Sequence, residues 1–283
     1  MESIIPRRRR GNIAKIFGLL CLAAIVYAIG NHPLSTGPAE GTQFVGIATT
    51  QPAGPFLKIG TFNIDGGEGV EDHRVDLDRT ASCMQKLDFI GMNEVHGFVF
   101  ADPPNQAITL GQCLHMPYLY VPAERQWGHD TFGNAVFSDL PITHWQRVVL
   151  PSEPFHAKRN YLLTDAIWNC KPIHFITTHT DWKIGGTEQF TIVRDVFLHL
   201  PEPAVLMGDL NTPQSNPLIS DLQKTPGVEE AIGRILDKIP GRVDWIFLRG
   251  LTTDNAGQVD LKASDHPAYW ASVRAKKQGS VSD

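Results

Sequence analysis

A chain of 283 residues, 42% hydrophobic and 19% charged with a formal net charge of −5, has the make-up of an ordinary globular protein able to bury a large core. The acidic balance disfavours a protein that grips long nucleic acid by its phosphates, because such proteins present a basic face. Four cysteines without a Cys-x-x-Cys pair exclude the common zinc and redox motifs.

The chain starts with Arg7 to Arg10 ahead of a run from Ile16 to Ile29 that carries no charge. That run is shorter than the roughly 20 residues of a bilayer span and suits the apolar core of a signal peptide, with Val26 and Ala28 placed for cleavage after Ala28. Ile13 and Ala14 extend the apolar face past Lys15, so a retained membrane anchor stays open beside it. Residues 1–28 are therefore expected to be a signal peptide or an N-terminal anchor, and the protein to be exported: periplasmic or secreted, or held at the membrane. Loss of 1–28 removes Arg7 to Arg10, Lys15 and Glu2 and leaves a still more acidic remainder. Cys83, Cys113 and Cys170 remain, enough for one disulfide and one free thiol in an oxidising compartment. Residues 29–55, rich in Pro, Gly, Ser and Thr, read as a flexible linker, and 56–283 as the functional domain.

From Phe56 short apolar runs alternate with helical stretches. Strands are expected at 56–64, 88–95, 118–123, 133–138, 161–168, 171–180, 204–210, 243–250 and 266–273, and helices at 75–87 and 187–200. The short turn between 161–168 and 171–180 implies a hairpin, and the helices imply crossovers. Mixed sheets with helices outside follow: an α/β class, four-layer sandwich of two mixed β-sheets packed face to face.

Polar residues with the chemistry of ligands recur where these runs end. Asn63 closes the first strand, with Asp65 just after it. Glu94 follows Asn93 at the end of the second, and Asn134 opens the strand before Ala135. His179 and Asp181 follow an apolar stretch; Asp209 and Asn211, two residues apart, end another; Asp244 lies within Val-Asp-Trp-Ile-Phe; Asp265 and His266 precede the last. Turn chemistry explains any one of these but must be invoked separately for each, and a carboxylate inside an apolar strand needs a partner. His73, His96 and His115 read as surface or loop histidines, and Arg194 as a solvated or paired helix residue. Trp182 serves packing or the cleft equally well, and Trp127 and His129 are loop candidates for the mouth of a site.

The series Thr-Phe-Asn-Ile, Asn-Glu-Val, Gly-Asn-Ala-Val-Phe-Ser, Thr-Thr-His-Thr, Met-Gly-Asp-Leu-Asn, Arg-Val-Asp-Trp-Ile-Phe and Ser-Asp-His-Pro resembles, in order, the endonuclease/exonuclease/phosphatase family with its deoxyribonuclease-I-like fold. The resemblance runs from Phe56 to about Arg274, with Asn93 standing where the family usually has glutamine. It implies a phosphoesterase whose divalent metal is held by Glu94, assisted by Asn63 and Asp265. It implies that Asp209 positions or deprotonates the attacking water and that Asn211 holds the phosphate or orients Asp209. His266, oriented by Asp244, binds phosphate and exchanges protons; His179 donates to another phosphate oxygen and Asn134 supports the phosphate side. Oxygen donors suit Mg²⁺, with Mn²⁺ as a substitute. The expectation is an exported, monomeric, Mg²⁺-dependent phosphodiesterase or phosphatase acting on a small or lipid-linked phosphate ester, with membrane contact through the N-terminal segment if it is not cleaved. A secreted or envelope nuclease on the same scaffold, disfavoured by the acidic balance, and a catalytically inactive binding module are the alternatives.

Overall fold

The computed structural model describes residues 7–34, 38–46, 54–98, 102–126, 130–153, 156–183, 185–233 and 239–276. Helix α1 (Arg7–Gly30) leads into β1 (Asn31–Leu34) and β2 (Glu40–Gly41); β3 (Leu57–Asn63) ends in a 3₁₀ turn at Asp65–Gly67, followed by α2 (Leu77–Ser82), β4 (Phe89–Phe98) and α3 (Gln106–Leu114). Then come β5 (Tyr118–Gln126), β6 (Asp130–Ser138), β7 (Ile142–Val149), β8 (Asn160–Trp168), β9 (Lys171–His179), α4 (Gly186–His199) and β10 (Ala204–Asp209). The chain continues through α5 (Pro217–Lys224), β11 (Val228–Glu230), β12 (Asp244–Arg249), β13 (Leu251–Val259) and β14 (Ala268–Ala275). Two seven-stranded sheets result, in the orders β1-β5-β6-β4-β3-β14-β13 and β11-β12-β10-β9-β8-β7-β2. Both are mixed: β3 runs parallel to β4 and β10 parallel to β9, while the remaining pairs are antiparallel.

Residues i and i+2 of a strand share a face, and the two faces of each sheet bury different cores. Ile59, Phe89 and Val136 of the first sheet meet Phe175, Val205, Met207 and Ile246 of the second between the sheets, where the rings of Phe89 and Phe175 stack with centroids 3.7 Å apart. On the outer face of the first sheet, Phe62, Ile90 and Phe137 pack on Ala81 of α2 and on Ala107 and Leu110 of α3. On the outer face of the second, Leu206, Trp245 and Phe247 pack on Phe190, Val193 and Phe197 of α4 and on Ile219 and Leu222 of α5. The four layers expected from the sequence are present.

Local chemistry sets the element ends. Asp76 and Asn105 cap α2 and α3 by accepting from Arg79 N and Ile108 N, and Asn216 caps α5 ahead of Pro217. The β8–β9 hairpin turns through Asn169 and Cys170, both left-handed at φ 50° and 61°, the requirement of a two-residue type I′ turn.

One expectation changes. The stretch 29–55 is not wholly linker: β1 pairs with β5, β2 pairs with β7, and Trp145 Nε1 donates to Gln43 O at 3.2 Å. These are backbone ladders on a sequence without apolar alternation, so hydrophobic pattern does not reveal them. The disulfide that the three cysteines would allow is not formed: Cys83, Cys113 and Cys170 are free, with Cys170 in the β8–β9 turn and Cys113 donating to Asp78 Oδ1 at 3.0 Å.

Gly208 precedes Asp209 for a steric reason. Its φ is +139°, and a Cβ there would collide with the carbonyl of Thr178 on β9. Gly208→Ala is expected to destabilise the fold by more than about 1 kcal/mol, measured as a lower midpoint in denaturant at unchanged slope.

Candidate active site

The inner faces of the strands turn from apolar to polar at one end of the sandwich. In β3 the face runs Leu57, Ile59, Thr61, Asn63; in β10 Val205, Met207, Asp209; in β9 Ile173, Phe175, Thr177, His179; in β6 Val136 gives way to Asn134 and in β12 Ile246 to Asp244. Glu94 joins them by an irregularity. The β4–β6 register shifts between Met92 and Val95, and Glu94 adopts φ 59°, a conformation rare for a non-glycine residue that re-aims the side chain.

Three carboxamides and one backbone N–H are linked across the seam. Asn160 of β8 donates to the carbonyl of Pro122 (3.2 Å) and accepts from Asn134 Nδ2 (2.8 Å); Asn134 Oδ1 accepts from Asn93 Nδ2 (2.7 Å); Asn93 Oδ1 accepts from the backbone N–H of Asp209 (2.9 Å). Asn134, expected to support the phosphate side, has its amide and carbonyl both engaged and is 2% exposed, so any such support comes from behind the site.

Asp209, 1% exposed, accepts from Asn211 N at Oδ1 (2.8 Å) and from Asn63 Nδ2 at Oδ2 (3.0 Å). The same Asn63 amide donates to Glu94 Oε1 (3.2 Å), while Asn63 Oδ1 accepts from Asp65 N (3.2 Å). Asn63 thus stands as a donor between two carboxylates, and service as an oxygen ligand requires its amide to turn over. Asn211 orients Asp209 through its backbone, since its side-chain amide donates to Thr180 O (2.7 Å). His266 Nδ1 pairs with Asp244 Oδ2 at 2.6 Å and its Nε2 lies 3.9 Å from Asp209 Oδ2 and 3.8 Å from Asp265 Oδ1. His179 Nε2 lies 3.5 Å from Asp209 Oδ2 and 3.7 Å from Glu94 Oε1. Asn63, Glu94, Asn134, His179, Asp209, Asn211, Asp244, Asp265 and His266 therefore converge at one end of the sandwich; Asn134 sits behind the others and Asp265 is the most open, with its side chain 60% exposed.

Burial sets the protonation of this cluster. It raises the Glu94 carboxyl above its usual range, raises Asp65 with help from the Asp265 charge, and pushes Asp209 up to about 7 with help from Asp244. Burial works against the charged form of His266, but the hydrogen bond and charge of Asp244, with Asp209 and Asp265, outweigh it and lift the ring to about 9. His179 goes the other way: burial, then Arg159 and His266, hold it neutral. Its Nδ1, like Asp244 Oδ1, is buried without a hydrogen-bond partner among the described residues.

Crowded carboxylates with raised proton affinity, bridged by the Asn63 amide and without a thiolate, suit a hard divalent cation. The tightest group of ligand-type atoms is Asp209, Asp244 and His266, within 4.8 Å of one another, yet His266 Nδ1 is already committed to Asp244. That trio is arranged so that it could handle protons, and Glu94, with Asp65 and Asp265 beside it, offers the better-placed seat for a cation.

Sequence reading misses Arg159, 8% exposed, whose guanidinium lies 5.1 Å from the Phe132 ring centroid and whose charge acts on Glu94 and His179. Nothing in the run Ala157-Lys158-Arg159 marks it. His96 is not a loop residue: it lies on β4 beyond Glu94, edge-on to Phe132 at 5.4 Å. Trp182 is not packed but 67% exposed, His73 is exposed beside Glu68, His115 caps α3 and Arg194 pairs with Asp195. Trp127 and His129 lie outside the described residues.

The sequence model of the Endonuclease/Exonuclease/phosphatase family matches residues 60–266. No curated protein matches the chain. Among solved structures, it is similar to an endonuclease/exonuclease/phosphatase from Beutenbergia cavernae DSM 12333 (TM-score 0.65, 21% identity, 78% of this chain and 72% of that one). It is also similar to humanized D. rerio TDP2 (0.58, 16%, 78% and 100%) and to the human Nocturnin catalytic domain with bound sulfate (0.60, 13%, 78% and 94%).

Two outcomes are expected. Asn93→Ala leaves the Asp209 N–H and Asn134 Oδ1 buried without partners, and should cost about 1–3 kcal/mol for each lost partner, read from denaturant unfolding. The folded-state pKa of His266 lies above its ordinary 6.5 at about 9, so the stability it contributes is fully present below pH 6.5 and lost as pH rises through 9. The stability advantage of wild type over Asp244→Asn should therefore shrink across that window in thermal melts.

Proposed function

The chain belongs to the endonuclease/exonuclease/phosphatase family and is a hydrolase of phosphate esters, and from that premise we propose that it is an exported, Mg²⁺-dependent phosphodiesterase or phosphatase. The observation that supports this best is the convergence of Glu94, Asp209, His179 and the Asp244–His266 pair at the polar end of the seam.

Glu94 and Asp265, with Asn63 once its amide is turned, would hold a divalent cation, which when bound would supply charge for the transferring phosphoryl group and a template for the attacking water. Asp209, held at Oδ1 by Asn211 N, accepts the proton of that water; a carboxyl near 7 is tuned for such work at neutral pH. His266, charged at neutral pH and locked at Nδ1 by Asp244, presents Nε2–H to a phosphate oxygen and returns a proton to the leaving group. His179, held neutral, offers Nε2–H to a second oxygen, and Arg159 adds a buried positive charge behind it. The export reading draws on Arg7 to Arg10 followed by the apolar length of α1.

Activity against bis-p-nitrophenyl phosphate, plasmid DNA, RNA and phospholipids with Mg²⁺ tests the reading and separates it from a nuclease. Chelation should abolish turnover without unfolding, and Asp209→Asn should lower kcat by roughly 10² to 10⁴ while substrate binding survives. Full activity in chelator, or normal turnover per folded molecule in Asp209→Asn, would contradict it.

A further inference from the structure

We propose that the rim of the active site seats on a lipid bilayer and that the phosphate ester hydrolysed belongs to a phospholipid headgroup; this rests on the phosphoesterase reading above. Outside α1, eight large apolar side chains among the described residues are well exposed, and six of them surround the catalytic end: Val70, Val75, Phe98, Val149, Trp182 and Leu261. Their positions follow from topology. Val70 follows the turn after β3, where Val70 N bonds Lys262 O, and Val75 bridges to Glu68 in the same loop. Phe98 ends β4 beyond Glu94, and Val149 ends β7 opposite Asn160. Trp182 comes three residues after His179, and Leu261 two residues after β13, whose end pairs with the start of β14 beside His266. The other two, Val45 and Phe56, lie at the far end, against Tyr118 and before Leu57.

Scattered exposed apolar residues need no explanation, but a ring of them around a polar cleft marks an interaction surface. A bilayer is the occupant that the rest of the chain favours. Nine large apolar side chains of α1, between Ile13 and Tyr27, are 53–70% exposed. A helix apolar all round needs an apolar surround. Among the described residues no helix is long and apolar enough to cross a membrane; the proposal needs α1 to enter the bilayer, not to cross it. Helix α1 leads directly into β1, and Asn31 pairs with Gln126 at the tip of the β5–β6 hairpin, level with Phe98 and Asp130. The helix therefore leaves the domain at the catalytic end, on the side of the rim. Lys183 Nζ lies 4.4 Å from the Trp182 ring centroid, the pairing of a flat amphipathic ring and a snorkelling cation suited to the headgroup level.

The test uses the full chain with vesicles of phosphatidylcholine brominated along its acyl chains. Tryptophan emission should be quenched on vesicle binding, and Trp182→Phe should lose most of that quenching while still pelleting with vesicles. Headgroup phosphate should be released from vesicles of sphingomyelin or phosphatidylglycerol, at least 10-fold more slowly by a Trp182→Asp, Leu261→Asp double variant whose turnover of soluble bis-p-nitrophenyl phosphate is unchanged. Quenching that is absent, or identical in Trp182→Phe, would overturn the orientation. Hydrolysis of the soluble ester with no vesicle lipid attacked would overturn the substrate class. If no ester is hydrolysed at all, the catalytic reading falls, and the quenching result still decides the orientation because it needs no turnover.

Discussion

The chain of hydrogen bonds from Asn160 through Asn134 and Asn93 to the Asp209 N–H is the constraint on which the site depends. It joins β8 and β10 of one sheet to β4 and β6 of the other at the level where the apolar seam ends. Apolar packing is non-directional and tolerates sliding, whereas a fully satisfied buried polar network has one geometry. The network therefore converts the loose complementarity of two sheets into a fixed position for the Asp209 backbone. It occupies both ends of each carboxamide, which is why Asn134 and Asn93 are framework and not substrate contacts.

Above this framework the site gathers negative charge that burial makes costly. Glu94, Asp65 and Asp209 all hold protons more tightly than free carboxyls, the signature of anions awaiting a counter-charge. The two histidines divide the labour because their surroundings differ. His266 has Asp244 at hydrogen-bonding distance and is driven to the charged form; His179 faces Arg159 and His266 from a fully buried position and is driven to the neutral one. One fold thus holds a cationic donor and a neutral donor on two sides of the same carboxylate.

Much of this was legible in the sequence because strand alternation is rigid. Asn63, His179, Asp209 and Asp244 sit at the ends of apolar inner faces, so residue type and parity alone bring them together, and the residues that carried the family resemblance are these. Glu94 was found by its motif, but its aim comes from a bulge that no propensity marks. Arg159 escaped because its neighbours are a lysine and a polar asparagine, and its role arises from Phe132 and Glu94 on another sheet. Asn93 and Asn160 read as ordinary strand polar residues until their partners, distant in sequence, are known. The strands β1 and β2 and the edge strand β13 escaped for a common reason: backbone pairing at a sheet edge asks little of side chains.

The segment from Asn31 to Gly46 has a consequence for the integrity of the sandwich. It closes the first sheet with β1 alongside β5 and the second with β2 alongside β7. Unpaired strand edges recruit other chains, and β5 and β7 would both become such edges in a chain cut at residue 56. A segment whose composition suggests a tether is a guard against edge-to-edge aggregation, and a shortened protein keeps its catalytic residues while losing its protection from self-association.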